Sequence, residues 1–151
     1  MSNVKIGVIG VGSWGKNHLR VLSELGCLAA FCDINAERVK GYEKKYGVRG
    51  YCSVDEMLQK EVLNAVTICT PTITHGEVAK KTLNAGLHTF VEKPLTLSST
   101  EGDELLEIAK KQGVILTAGY IERFNPAVST LKALIMSGRI GEPLLLEFHR
   151  E

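Results

Sequence analysis

Gly10-Val11-Gly12-Ser13-Trp14-Gly15 sets three glycines in G-x-G-x-x-G spacing. The turn lies between an apolar β-branched run and a helical pattern, the context in which this spacing carries chemistry. Gly10 permits a tight turn out of the strand. Gly12 lacks a Cβ, so the backbone can approach a pyrophosphate. Gly15 lets the helix lie close to the strand. The N–H groups of the turn, Ser13 and Trp14 included, and the positive end of the helix dipole then face the phosphates. Asp33 closes the next apolar run. A carboxylate there can accept the ribose hydroxyls of adenosine and repel a 2′-phosphate, which favours NAD over NADP. The plain alternative for Asp33 is a strand-end residue that caps the following helix. Arg38 could accommodate a 2′-phosphate, although its position also suits a surface role.

Two further stretches fall where a parallel sheet places its ligands. Thr70-Pro71-Thr72-Ile73-Thr74-His75 follows one strand-like run, and Glu92-Lys93-Pro94 follows the next. In an open α/β sheet, loops at the carboxyl ends of the strands line the ligand crevice. A lysine beside a bound nicotinamide can exchange protons, and hydride loss from an alcohol carbon requires that the hydroxyl proton leave too. Lys93 is therefore the candidate base or proton relay. Spacing alone fits a solvated loop lysine equally well.

The elements that must position these residues alternate. Strands are expected at 4–9, 28–32, 49–51, 65–69, 88–91, 114–117 and 144–149. Helices are expected at 14–25, 36–46, in a short stretch after Ser53, at 74–84, from Ser98 or Ser99 to about 111, and at 125–136. Ser53 with Glu56 forms a capping-box pattern, and Pro126 suits a first helical turn. Such alternation gives βαβ units, a parallel sheet covered on both faces, and right-handed crossovers. The expected fold is an α/β Rossmann-type doubly wound sheet. The apolar Leu144–His149 segment reads as a strand still lacking a partner, and so as a surface for self-association.

Composition narrows the classes. The 151 residues carry a net charge of +1 with no basic block, so neither nucleic acid nor an anionic membrane is an expected partner. No apolar run reaches membrane-spanning length, and the amino terminus lacks a secretory pattern. Cys27, Cys32, Cys52 and Cys69 show no C-x-x-C spacing; reduced thiols in a cytoplasmic protein, with no metal site, are expected.

The glycine turn, Asp33, the Pro71-to-His75 loop, Glu92-Lys93-Pro94 and Gly119-Tyr120-Ile121-Glu122-Arg123-Phe124-Asn125-Pro126 occur in one order along essentially the whole chain. In this the sequence resembles the Gfo/Idh/MocA oxidoreductases, the glucose–fructose oxidoreductase and inositol dehydrogenase superfamily. The Glu122-to-Ala127 stretch looks most like nucleotide-sugar members of the UDP-N-acetylglucosamine 3-dehydrogenase kind. The resemblance implies an NAD-dependent oxidoreductase that moves a hydride between nicotinamide and a secondary alcohol of a sugar or nucleotide sugar, in a homo-oligomer. It places Lys93 near nicotinamide and the substrate hydroxyl, with Glu92 and Pro94 shaping that loop. It puts Thr70, Pro71 and His75 beside the cofactor, and Arg123 and Asn125 near nicotinamide or sugar. His18 and His88 match the pattern as structural residues, His88 by burial against the sheet.

Family members carry a second α/β domain that walls the sugar pocket. The expected division is therefore a cofactor domain over 1–120, followed by a connecting helix and first strand of a substrate domain over 121–151. Two other readings are open: a non-catalytic NAD(H)-binding or redox-sensing module, and a Rossmann domain for another nucleotide such as S-adenosylmethionine.

Overall fold

The computed structural model describes residues 4–147. The chain divides into two compact units, Met1–Gly119 and Tyr120–Glu151. In the first unit, among the described residues, six parallel strands form one sheet in the order β3-β2-β1-β4-β5-β6. They are β1 (Ile6–Ile9), β2 (Leu28–Cys32), β3 (Arg49–Tyr51), β4 (Ala65–Ile68), β5 (His88–Val91) and β6 (Leu116–Ala118). Between them run α1 (Gly15–Glu24), α2 (Ala36–Tyr46), α3 (Val54–Lys60), α4 (His75–Asn84) and α5 (Ser99–Gln112). The strand order reverses between β1 and β4, the point at which an open α/β sheet forms its ligand crevice.

The central strands are apolar on both faces because both are covered. Val8 of β1 and Phe31 of β2 pack with Leu19 of α1 and Val39 of α2. Their neighbours Ile9, Ala30 and Cys32 point the other way, into a core with Met57, Val66, Ile68, Leu83, Val91 and Leu105. The side-chain period of two thus delivers one residue to each face in turn. Phe31, Leu19, Met57, Leu83 and Leu105 are fully buried.

Helix ends follow local chemistry. The Asn35 side chain accepts N–H bonds from Glu37 and Arg38 to start α2, Ser53 accepts from Glu56 to start α3, and Ser98 accepts from Glu101 to start α5. Side-chain acceptors of this kind satisfy amides that have no partner inside the helix. Two connections differ from expectation. A 3₁₀ turn, Thr72–Thr74, precedes α4. The final strand of the sheet starts at Leu116 rather than 114, because the Val114 N–H bonds back to the Ala109 carbonyl as part of the ending of α5.

The second unit holds a 3₁₀ turn, Ile121–Phe124, and α6 (Pro126–Met136). The expected strand over 144–149 is not formed across its described part. Leu144–Glu147 has no regular structure, and Leu144 and Leu145 are 97% and 76% exposed. An extended apolar segment becomes a strand only where a ladder partner takes its backbone groups. Phe148 and His149 lie outside the described residues.

Candidate functional site

The glycine turn is held by backbone contacts that a side chain would break. Gly10 has φ +83°, and a Cβ there would lie 2.9 Å from the Cys69 carbonyl carbon and the Thr70 nitrogen. A Cβ on Gly15 would fall on the carbonyl oxygen of Gly10. These two glycines are demanded by the protein itself. Gly12 is different: a Cβ there would meet nothing nearer than the Arg38 Nη1 at 3.9 Å. Packing within the protein leaves room at Gly12, and that room faces the cleft.

Asp33 fixes the turn from the side. Its Oδ2 accepts the Val11 N–H at 2.8 Å, and its Oδ1 accepts the Asn35 N–H at 2.9 Å. The carboxylate is buried, and charge-assisted bonds to backbone N–H groups are among the stronger protein hydrogen bonds. Asp33 is thus a strand-end residue tied to the turns on either side. It organises the entry to α2 through Asn35, and it presents a carboxylate beside the glycine turn. Each oxygen keeps a lone pair for a further donor. Arg38 is half exposed and places Nη1 3.7 Å from Asp33 Oδ2; it borders the cleft, more than a surface role requires.

A cleft of about 720 Å³ opens along this edge. Gly10, Gly12, Ser13, Trp14, Asp33 and Arg38 form one wall, and Cys69, Thr70, Pro71, Thr74 and Glu77 form the other. Cys52, Ser53, Asp55 and Lys81 also line it; sequence reasoning missed this group. The signal was available, since β3 lies beside β2 and its exit must open on the same edge. Lys81 Nζ lies 3.0 Å from Asp55 Oδ2 and 3.6 Å from Glu77 Oε1, ion pairs that raise the lysine pKa. The two helices that border this cleft at their starts, α1 and α4, have no side-chain N-cap; the Lys16 and Asn17 amides bond to the Gly12 and Trp14 carbonyls, and the His75 amide to the Thr72 carbonyl.

The remaining expected residues sort into three groups. His75 is 1% exposed, with Nδ1 2.8 Å from the Pro94 carbonyl and Nε2 2.9 Å from the Thr70 carbonyl. A neutral ring donates to one of these oxygens and a protonated ring to both. His75 thus ties the two edge loops together. Its burial follows from its place at the first residue of α4, turned into the sheet. Glu92 Oε1 bonds His18 Nε2 at 3.0 Å, and its Oε2 accepts the Lys93 N–H at 3.2 Å. The His18 ring also stacks at a tilt on Phe90, 5.6 Å between centroids, so His18 braces the loop from α1. Lys93 is exposed and does not line the 720 Å³ cleft.

His88 departs from expectation. It is exposed rather than buried, because it opens β5 at the amino end of the sheet. There its Nδ1 accepts the Ile115 N–H at 3.0 Å and closes the connection to β6. Arg123 and Asn125 belong to the second unit. Asn125 is bonded locally: Oδ1 accepts the Ala127 N–H at 2.9 Å to cap α6, and Nδ2 donates to Glu122 Oε2 at 2.9 Å. Among the described residues no cluster of His, Cys, Asp and Glu could hold a metal ion, and no helix is long and apolar enough to cross a membrane.

Comparison with known proteins agrees with this geometry. Residues 4–120 match the oxidoreductase family with an NAD-binding Rossmann fold, GFO_IDH_MocA. The chain is 37% identical over 150 residues to UDP-N-acetylglucosamine 3-dehydrogenase of Acidithiobacillus ferrooxidans, covering 99% of this chain and 46% of that protein. It is 34% identical over 146 residues to myo-inositol 2-dehydrogenase of Thermotoga maritima, covering 95% and 44%. It superposes with TM-score 0.86 on the WlbA dehydrogenase of Bordetella pertussis solved with NADH and UDP-GlcNAcA, at 28% identity, covering 92% of this chain and 43% of that one. The chain thus spans less than half the length of these relatives.

The thiols at the edge give a direct check on the geometry. Burial, opposed by a Gly10 backbone hydrogen bond and reinforced by the Asp33 charge, pushes Cys32 up to about 12. Burial, then the Glu92 charge, pushes Cys69 up to about 12. Cys52 is exposed. In the native protein at pH 8, an alkylating reagent followed by peptide mapping should label Cys52 first. Cys32 and Cys69 should stay unlabelled until denaturant is added, since only the thiolate reacts. Early labelling of Cys32 would show that the β2 edge is not packed as described.

Proposed function

This chain belongs to the Gfo/Idh/MocA oxidoreductase family, and we propose that it holds NAD in the glycine-lined cleft as the cofactor-binding part of a sugar or nucleotide-sugar dehydrogenase. The observation that carries the reading is Gly12. Its missing Cβ leaves space with nothing nearer than the Arg38 Nη1 at 3.9 Å, beside the start of a helix that no side chain caps and a carboxylate with lone pairs to spare. That is the donor and acceptor set a pyrophosphate and an adenosine ribose require. A cleft of about 720 Å³ lies within the range of ligand sites.

Gly10, Gly12, Ser13, Trp14 and Gly15 would hold the pyrophosphate, Asp33 the adenosine ribose, and Thr70 and Pro71 the opposite wall. When bound, NAD supplies the hydride acceptor. Lys93, carried on the loop that Glu92 and His75 brace, takes the proton of the substrate hydroxyl as its C–H bond gives up the hydride. The Glu122-to-Pro126 motif supports a substrate role for Arg123 and Asn125 within the second unit, at the start of a sugar-binding domain. The exposed apolar Leu144 to Leu146 stretch supports a homo-oligomer, and the free cysteines support a cytoplasmic setting.

Calorimetric titration with NAD tests the cofactor reading. Gly12→Ala should melt close to the wild-type temperature, because its Cβ meets nothing nearer than the Arg38 Nη1 at 3.9 Å, yet bind NAD far more weakly, because the methyl group fills the approach to the turn. Wild-type NAD affinity in this variant would defeat the assignment of the cleft. For the proton step, Lys93→Ala in a form that turns over a sugar alcohol should lower kcat by about 100-fold or more. An unchanged kcat would remove Lys93 from that role.

A further inference from the structure

His75 is 1% exposed, and each of its ring nitrogens faces a backbone carbonyl. Nδ1 lies 2.8 Å from the Pro94 oxygen and Nε2 lies 2.9 Å from the Thr70 oxygen. A carbonyl oxygen only accepts. A ring with one N–H would therefore set a nitrogen lone pair against oxygen lone pairs at hydrogen-bonding distance, in a place closed to solvent. A ring with two N–H groups satisfies both oxygens, and bonds from an imidazolium are roughly twice as strong as neutral ones.

Burial and the positive end of α4 oppose a cation at this position. Two charge-assisted bonds offset them, and so does a carboxylate. A Cβ on Gly76, the next residue, would fall on a Glu101 carboxylate oxygen, so α5 sets a negative charge against the turn that carries the ring. The other charged groups on the elements that meet here are turned elsewhere. Glu77 lines the cleft, Glu92 is bonded to His18, and Lys93 is exposed.

The two carbonyls belong to different parts of the site. Thr70 abuts the glycine turn, its nitrogen 2.9 Å from where a Cβ on Gly10 would stand. Pro94 follows Lys93, whose own N–H bonds Glu92 Oε2 at 3.2 Å. We propose that His75 is a positioning residue that carries both ring protons and, by donating to the Thr70 and Pro94 carbonyls at once, holds the Lys93 loop in register with the glycine turn. The inference rests on the proton role given to Lys93 above. Loss of either bond frees one loop from the other, and a reacting group misplaced by about 1 Å can cost about 100-fold in rate.

The test is proton–nitrogen correlation NMR of the imidazole groups of the 151-residue chain at pH 7. The His75 ring is recognised by the slow solvent exchange of its buried N–H groups. Both of its nitrogens should carry a proton and give imidazolium-type shifts. One protonated and one bare nitrogen would overturn the inference, whether or not the chain binds NAD. This signal is read in the wild type, so it decides the matter even where a variant fails to fold. The second arm is His75→Gln in a form that turns over a sugar alcohol, which keeps a donor and loses the charge. It should lower kcat by about tenfold or more, with KM for NAD within about threefold of wild type. An unchanged kcat, or a loss confined to KM, would overturn the positioning role while a fall in kcat for Lys93→Ala left the role of Lys93 standing. An unchanged kcat in both variants would overturn the two readings together.

Discussion

The hydrogen bond from the Val11 N–H to Asp33 Oδ2, 2.8 Å long and buried, is the constraint on which the site depends. It links the exit of β1 to the exit of the neighbouring strand β2, and so fixes the glycine turn against the sheet. The Gly10 N–H bonds the Cys32 carbonyl at 2.8 Å and ties the start of the turn; without the bond to Asp33, the middle of the turn would have to be ordered by the ligand at an entropic cost. With it, the amides are set before any ligand arrives. The same carboxylate bonds the Asn35 N–H, which places the start of α2 and thereby Arg38. One side chain thus sets the phosphate turn, the ribose corner and the base of the neighbouring helix.

The opposite wall is held by a second set of buried polar contacts. His75 spans the Thr70 and Pro94 carbonyls, and Glu92 is anchored by His18 while it accepts the Lys93 N–H. Loops at the carboxyl edge would otherwise be the mobile part of the sheet. Here each is tied to a helix or to the other loop by a group with little freedom to leave. Residues that line the cleft are therefore backed by residues such as His18 and His75 that do not line it. A buried polar group left unpaired costs about 1–3 kcal/mol, so loss of His75 or Glu92 acts first on the shape of the loops.

Much of this was legible in the sequence. The alternation of apolar runs and helical patterns gives the parallel sheet, because β-branched runs such as 65–68 can only be buried on both faces. The glycine spacing gives the turn, since Gly10 and Gly15 are required by backbone contacts that any such turn must make. What could not be read was pairing over distance. The loop position of His75 does not reveal that its ring lies between two carbonyls 5 and 19 residues away in sequence. His88 was expected inside and lies outside, because its strand begins at the amino edge. Leu144–Glu147 reads as a strand by composition, but composition does not supply the neighbour that a ladder needs.

The most direct test of the central claim is an amide-resolved NMR titration of the chain with NAD. The account predicts that the Val11 amide is protected from exchange before NAD is added, by its bond to Asp33. It predicts that the Gly12, Ser13, Trp14 and Gly15 amides then shift together as NAD binds. Rapid exchange at Val11 in the free protein, or NAD-induced shifts confined to regions away from residues 10–15, would contradict it.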